Sequence, residues 1–297
     1  MNDAEPSWDL YRTFLAVLEE GSLSGAARSL GLTQPTVARH IDTLEQAVGF
    51  ELFVRSQRGL AATEAALELR PYAEALASTT AAMMRTASGQ GRAVAGTVRI
   101  SASEIMGAEV LPPILAGLRQ RHPAVDIELV LSNAVEDLLR RDADIAVRMT
   151  EPVQEALVAR RIGDITLALH AHRRYLDRRG VPHDLSALSE HSLIGYDRET
   201  PAIRSMRRRV PEFEDIRFAL RTDSDVAQFS AIKAGCGIGF CQVALARRDA
   251  DLVRVLPDAF DLKLGVWIVM HEDLRSTPRC RAVFDALVAG LQIYVDG

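Results

Sequence analysis

The chain has 297 residues, 48% hydrophobic and 25% charged, which is enough for two or three globular domains. A net charge of −5 argues against a non-specific nucleic-acid coat or a membrane-surface protein. Its three cysteines lack CxxC spacing, no apolar run approaches the roughly 18 residues of a membrane span, and the start MNDAEPSWDL has no leader character, so a cytoplasmic protein is expected.

In chain order, residues 8–20 read as a helix with Leu10, Phe14, Val17 and Leu18 on one face. Ser22 or Ser24 can cap a short second helix through Ala26, Ala27 and Leu30, closed by Gly31. Thr33 can cap a third, with Pro35 in its first turn, where the missing N–H costs no intrahelical bond. Val37, Ile41, Leu44 and Val48 form its buried stripe, and Gly49 ends it. Thr36, Arg39, His40 and Thr43 point elsewhere. A helix pair with a tight turn and a donor-rich outer face is how a helix-turn-helix meets a major groove, although an ordinary core hairpin has the same spacing.

Residues 50–54 are β-like, 55–59 form a polar turn and 60–62 a weak return strand, the shape of a wing with Arg55 and Arg58 near its tip. The first 95 residues carry 8 Arg and no Lys against 11 acids, a net of −3 that counts mildly against DNA binding. Placement outweighs the sum, because Arg28, Arg39, Arg55 and Arg58 gather in the proposed reading head. From Thr63 a long alanine-rich helix runs to Ser88 with Leu67, Leu69, Tyr72, Leu76, Met83 and Met84. An apolar helix without a neighbour in its own domain needs a partner, so it reads as a dimerising linker, with Pro71 set to bend it or remove one backbone bond.

Residues 89–96 are a small-residue hinge, after which strands alternate with helices. Strands are expected at 97–101, 126–131, 144–148, 166–170, 192–196, 217–221, 237–241 and 264–270, and helices at 107–121, 134–140, 223–234 and 278–294. Such alternation predicts a mostly parallel α/β sheet, which binds ligands beyond the carboxyl ends of its strands.

The stretch from Ser22 to Arg58, with the helix before it, resembles the winged helix-turn-helix of LysR-type transcriptional regulators. The motif stands here as Phe14 and Val17; Gly21-Ser22-Leu23-Ser24 with Ala26-Ala27; Thr33-Gln34-Pro35; Leu44-Glu45; Gly49; and Leu52-Phe53-Val54-Arg55. Leu111-Pro112, His122-Pro123, Asp144-Ile145-Ala146 and the run Ala234 to Gly239 extend the likeness more loosely. Two departures are Ala66 at a usual glycine and Ala38 at a usual serine, where one hydroxyl contact is lost. The resemblance implies a winged helix-turn-helix at 7–62, a linker and dimerisation helix at 63–88 and a hinge at 89–96. It further implies a two-lobed α/β effector domain resembling periplasmic binding proteins, with lobe 1 at 97–165 plus 270–297 and lobe 2 at 166–269. Gln34, Pro35, Thr36 and Arg39 would meet base edges, and Thr33, Arg55 and Arg58 phosphates. Ser22, Ser24 and His40 complete the candidate DNA-facing set. The implied partners are double-stranded DNA with an inverted-repeat operator, a small-molecule effector such as a small organic acid, and the chain itself as dimer or tetramer. RNA polymerase is a further candidate partner, and no membrane is expected.

Polar groups at strand ends mark the effector cleft: Ser101, Ser103 and Glu104; Ser132 and Asn133; Arg148 and Thr150; Thr222, Asp223 and Ser224. Many would also serve simply as helix caps, and Asn133 with Glu136 has capping-box spacing. Arg148 needs a partner, which the sequence offers as Asp144, Glu151 or an anionic effector. The glycines at 235, 237 and 239 follow a helix and precede a strand, the wrong order for a dinucleotide fingerprint. No metal or cofactor site and no catalytic constellation is evident, so an enzyme is not expected. The alternatives are a ligand receptor without a DNA role, or a redox sensor through Cys236 and Cys241, although free cysteines are more often small buried hydrophobes.

Overall fold

A computed structural model describes residues 6–56, 59–88, 94–133, 143–152, 157–198, 204, 217–259 and 261–297. The contacts divide the chain into two units, with the cut between Met84 and Arg85.

The first unit is a helical head with a hairpin. Helix α1 (Trp8–Glu20) ends at Gly21 and α2 (Leu23–Leu30) at Gly31, whose φ of +68° is a left-handed conformation that costs a glycine least. Ser22, rather than Ser24, caps α2, its Oγ accepting from Gly25 N at 3.1 Å. Helix α3 (Gln34–Val48) is capped by Thr33, which accepts from Thr36 N at 3.3 Å. Its stripe of Val37, Ile41 and Leu44 is buried against Phe14 and Val17 of α1 and Ala26 and Ala27 of α2, with Val48 half-buried at the margin. Strands β1 (Phe53–Ser56) and β2 (Gly59–Ala62) pair antiparallel, with Phe53 opposite Ala62 and Arg55 opposite Leu60. The Glu45 carboxylate reaches from α3 to accept from Leu52 N at 2.6 Å and Phe53 N at 3.2 Å. Leu60 N donates to Gly21 O at 3.1 Å. The hairpin is therefore tied at its base to α3 and along its return strand to the end of α1.

Helix α4 (Glu64–Ser88) is continuous through Pro71. Thr63 Oγ1 accepts from Ala66 N and donates to Glu51 O, joining the helix start to the hairpin. Ala66 and Ala73 pack into the head, whereas Leu67, Tyr72, Leu76, Met83 and Met84 are exposed.

The second unit is built on a nine-stranded sheet among the described residues, with β3 (Gly96–Ala102), β4 (Val125–Leu131), β5 (Ile145–Arg148), β6 (Leu157–His172), β7 (Leu193–Gly195), β8 (Phe218–Arg221), β9 (Ile238–Gln242), β10 (Leu252–Arg254) and β11 (Leu262–His271). The order is β4-β3-β5-β11-β6-β9-β7-β8, with β10 on β6. Ladders β3·β4, β3·β5, β7·β8 and β7·β9 are parallel, while β11 pairs antiparallel with β5 and β6, and β6 with β9 and β10. The sheet is thus mixed, not mostly parallel. Helical crossovers supply the parallel ladder within each lobe, and two long strands cross between the lobes in opposite directions. The sequence pattern found only part of β6, which spans 16 residues. Its partner changes from β11 to β9 at Leu167, where it passes from one lobe to the other.

Helices are α5 (Leu111–Arg121), α6 (Arg173–Arg179), α7 (Asp225–Lys233), α8 (Val243–Ala246) and α9 (Pro278–Asp296). A π-helical turn, Met106–Val110, precedes α5 where one continuous helix was expected. The helix expected at 134–140, including Glu136, lies outside the described residues. Helix α9 returns to the first lobe, burying Val283, Leu287 and Leu291 with Ile100, Leu111 and Ile145. In lobe 2, α7 and β9 share a core of Phe229, Ile232 and Cys241. The turn between them needs Gly237, because a Cβ there would lie 2.2 Å from Ser192 O.

Asp144 immediately precedes β5 and is buried. It accepts from Arg99 N at 2.9 Å and pairs with Arg85 at 3.2 Å, and Arg279 donates to Arg85 O at 2.9 Å. Asp144 is therefore committed to Arg85 and does not serve Arg148.

Candidate nucleic-acid interface and ligand cleft

On the head, Ser24, Thr33, Gln34, Pro35, Arg39 and Arg55 are exposed. Thr36 is half-buried, its Oγ1 2.8 Å from Thr33 Oγ1. The first turn of α3 thus presents hydroxyl and amide groups beside a free-standing arginine fork, and the hairpin adds a second arginine. This is a surface for phosphates and base edges. His40 departs from the expectation of an outer-face donor. Its Nδ1 lies 2.8 Å from Thr13 Oγ1, and that hydroxyl already donates to Asp9 O at 2.7 Å. The ring must therefore donate through Nδ1 to a buried threonine, which ties α3 to α1. Arg58 falls outside the described residues.

In the second unit, groups from both lobes meet at one corner. Glu104 N donates to Asn133 Oδ1 at 3.1 Å, and Ser224 Oγ donates across the cleft to Glu104 Oε2 at 2.8 Å. Asn133 Nδ2 donates to Asp225 Oδ2 at 3.1 Å, and Tyr196 OH to Asp225 Oδ1 at 2.6 Å. Burial first, and then the charge of Glu104, raise the Asp225 carboxyl above its ordinary value, opposed by the bonds from Tyr196 and Asn133. Burial and the neighbouring Asp225 raise the Tyr196 phenol. Behind this corner lies a cavity of about 110 Å³. Ile105, Met149, Leu167, Phe229, Phe240 and Leu264 supply most of its wall, and Tyr196, Asp225, Gln228 and Gln242 its polar groups.

Residues 8–67 match the bacterial regulatory helix-turn-helix protein family of the lysR type, and residues 91–292 match the LysR substrate binding domain. The chain belongs to the LysR family of transcriptional regulators. It is 26% identical over 283 residues to the probable HTH-type transcriptional regulator LtrA of Klebsiella pneumoniae, covering 92% of this chain and 91% of that one. It is 27% identical to the HTH-type transcriptional regulator PgrR of Escherichia coli K12, covering 82% and 84%. Among solved structures it is similar to CrgA of Neisseria meningitidis (TM-score 0.59, 24% identity, 97% and 99% covered) and to CbnR complexed with its target DNA (0.66, 19%, 95% and 99%). At these identities the solved structures speak to the fold alone.

As a LysR-type protein the chain is a DNA-binding regulator with a ligand-responsive domain. Of the residues expected in the cleft, Glu104, Asn133 and Ser224 meet in the corner. Ser101 and Arg148 do not line the cavity. They are buried at neighbouring strand ends, where Arg148 donates to Ser101 Oγ at 2.7 Å and to Val147 O at 3.1 Å. Thr150 and Asp223 are exposed, Ser132 is half-buried, and Thr222 Oγ1 accepts from Ser224 N at 3.2 Å. Ser103 Oγ is buried with no partner among the described residues. Tyr196, Asp225 and Gln228, which the sequence did not single out, line this cavity. The helix expected from residue 223 begins two residues later, with Ser224 as its cap and Asp225 as its first residue. Helix phase from that cap would have found Asp225 and Gln228 together.

Cys236 is exposed and Cys241 buried, with its thiol pushed up to about 12 by burial. A thiol so rarely ionised is a poor redox partner. Among the described residues, no group of three or more His, Cys, Asp or Glu could hold a metal ion, and no helix is long and apolar enough to cross a membrane.

Proposed function

We propose that this regulator reads an inverted-repeat operator in the cytoplasm as a dimer or tetramer, and that a small effector between its two lobes controls that reading. The observation that carries the operator half is the exposed row of Thr33, Gln34 and Arg39 on α3, above a stripe buried in the head. Gln34 and Arg39 meet base edges, Thr33 and Arg55 hold phosphates, and Pro35 and Thr36 touch methyl groups. The structure of CbnR on its target DNA lends support by analogy of fold. The exposed apolar side chains of α4 form the dimer contact, which sets two reading heads at half-site spacing. The effector half rests on the corner where Glu104 and Asn133 face Tyr196, Ser224 and Asp225 over the cavity. The corner is read as a site that binds and holds, since among the described residues it sets no nucleophile beside a base.

A gel-shift titration on the DNA upstream of the protein's own gene tests the operator half. Gln34→Ala and Arg39→Ala should each weaken specific binding by about 1–3 kcal/mol per lost bidentate contact. Unchanged affinity in both variants sinks the assignment and returns the chain to a ligand receptor without a DNA role.

A further inference from the structure

The cavity has a chemical bias that the family does not dictate. Asp225 is the charged residue among the described residues lining it, and Ser224 links Glu104 to the same carboxylate corner. No Lys, Arg or His is among those lining residues. The hydrogen-bond balance points the same way. Gln228 is only 4% exposed, and its Nε2 turns back to Thr222 O at 3.4 Å. Its Oε1 is left with no donor among the described residues. Tyr196 spends its proton on Asp225 and has only lone pairs to offer. Gln242 is spent in both directions, its Nε2 on Met106 Sδ and its Oε1 on Tyr294 OH, so the polar sites left facing the cavity are acceptors, which favour a ligand that brings donors. A carboxylate ligand brings more acceptors and the wrong charge. A hydroxyl brings one donor, and an ammonium brings three donors and the right charge.

We propose that the effector is a small primary amine, bound as its ammonium form with its head on Asp225, Gln228 and Tyr196 and its apolar body against Phe229, Phe240 and Leu264. This replaces the small organic acid expected from the sequence, and it rests on the reading that the interlobe cleft is the effector site. The size follows from the volume. About 110 Å³ admits a body of roughly four non-hydrogen atoms, if a water-sized group takes about 30 Å³. A cation beside Asp225 also offsets the burial that raises its carboxyl, and it screens Glu104.

The test is a thermal-shift titration of the full chain at pH 7 with isobutylamine hydrochloride, isobutanol and sodium isobutyrate, each against equal sodium chloride. Isobutylamine should raise the melting temperature in a saturable way and isobutyrate should not. Asp225→Asn should weaken amine binding by about tenfold or more, the scale of one charge-assisted bond. Gln228→Met should weaken it several-fold, and it carries the test if Asp225→Asn does not fold. A third variant, Met149→Trp, fills the cavity and should abolish the shift. Stabilisation by isobutyrate that disappears in Met149→Trp keeps the cleft as the effector site and overturns the amine. Amine stabilisation that survives Met149→Trp overturns the cleft reading itself. No shift with isobutylamine, or an unchanged affinity in both Asp225→Asn and Gln228→Met, also overturns the proposal.

Discussion

Single residues in this chain do work that their type alone does not announce. Glu45 flanks the buried stripe of α3, and its carboxylate satisfies two backbone N–H groups at the foot of the hairpin. Those donors lie beside Leu52, which is fully buried, so their loss is not readily made good by water. Glu45→Ala should cost about 1–3 kcal/mol of stability for the stranded donors, measured by urea unfolding, whereas Glu51→Ala on the exposed surface should cost almost nothing. His170 is 2% exposed on β6, with Nδ1 donating to Ala168 O at 2.9 Å. Burial first, and the Arg254 charge with it, hold this imidazole below its ordinary 6.5, opposed by the Ala168 bond. A lowered folded value means that the unfolded chain binds the proton more readily. Stability is then intact above pH 6.5 and is lost as the pH falls through the lowered value. Melting temperatures at pH 7.5 and 5 should differ more in the native chain than in His170→Gln, and an equal difference would refute this assignment.

At the scale of elements, the linker helix is the clearest case of a face without a neighbour. Tyr72, Leu76 and Met83 share one side of α4 at spacings of four and seven, and Tyr72 is 72% exposed. Burying such side chains against a second copy is worth about 1.5–3 kcal/mol each. Leu76→Glu with Met83→Glu should therefore weaken self-association at least tenfold by analytical ultracentrifugation, with the far-ultraviolet spectrum of the chain unchanged. The last turn of α4 already belongs to the effector unit. Arg85 is held there by the Asp144 carboxylate and, through its carbonyl, by Arg279 at the start of α9. Pro71 does not break the helix, because its ring removes one hydrogen bond and the rest of the 25-residue ladder persists.

For the whole molecule, charge sets the terms of DNA binding. A chain of net charge −5, with a head that carries no lysine, has little non-specific attraction for a polyanion. Operator affinity must rest on a few arginines, counted twice in a dimer. The slope of log binding constant against log salt should therefore be modest, at about −0.9 per phosphate met, and Arg55→Gln should reduce it by about two per dimer while leaving base preference intact. A slope unchanged by that substitution would move the phosphate contact elsewhere.

The sequence alone determined the reading head. Its caps, its 3.6-residue stripe and its glycine stops act over a few residues, so the order of helices and hairpin follows from local spacing, and Thr33, Gln34 and Arg39 reach the surface as the pattern requires. The alternation of strands and helices also foretold an α/β effector domain. It did not foretell that β6 and β11 run antiparallel across both lobes, because strand direction depends on pairings between residues about 100 positions apart. Nor did it reveal His40 turned onto Thr13, Asp144 taken by Arg85, or Asp225 held by Tyr196 and Asn133. Each of these is a choice between partners of similar chemistry, made by which side chains the folded backbone brings within hydrogen-bond reach. That tertiary choice put Tyr196, Asp225 and Gln228 together at the polar end of a mostly apolar cavity.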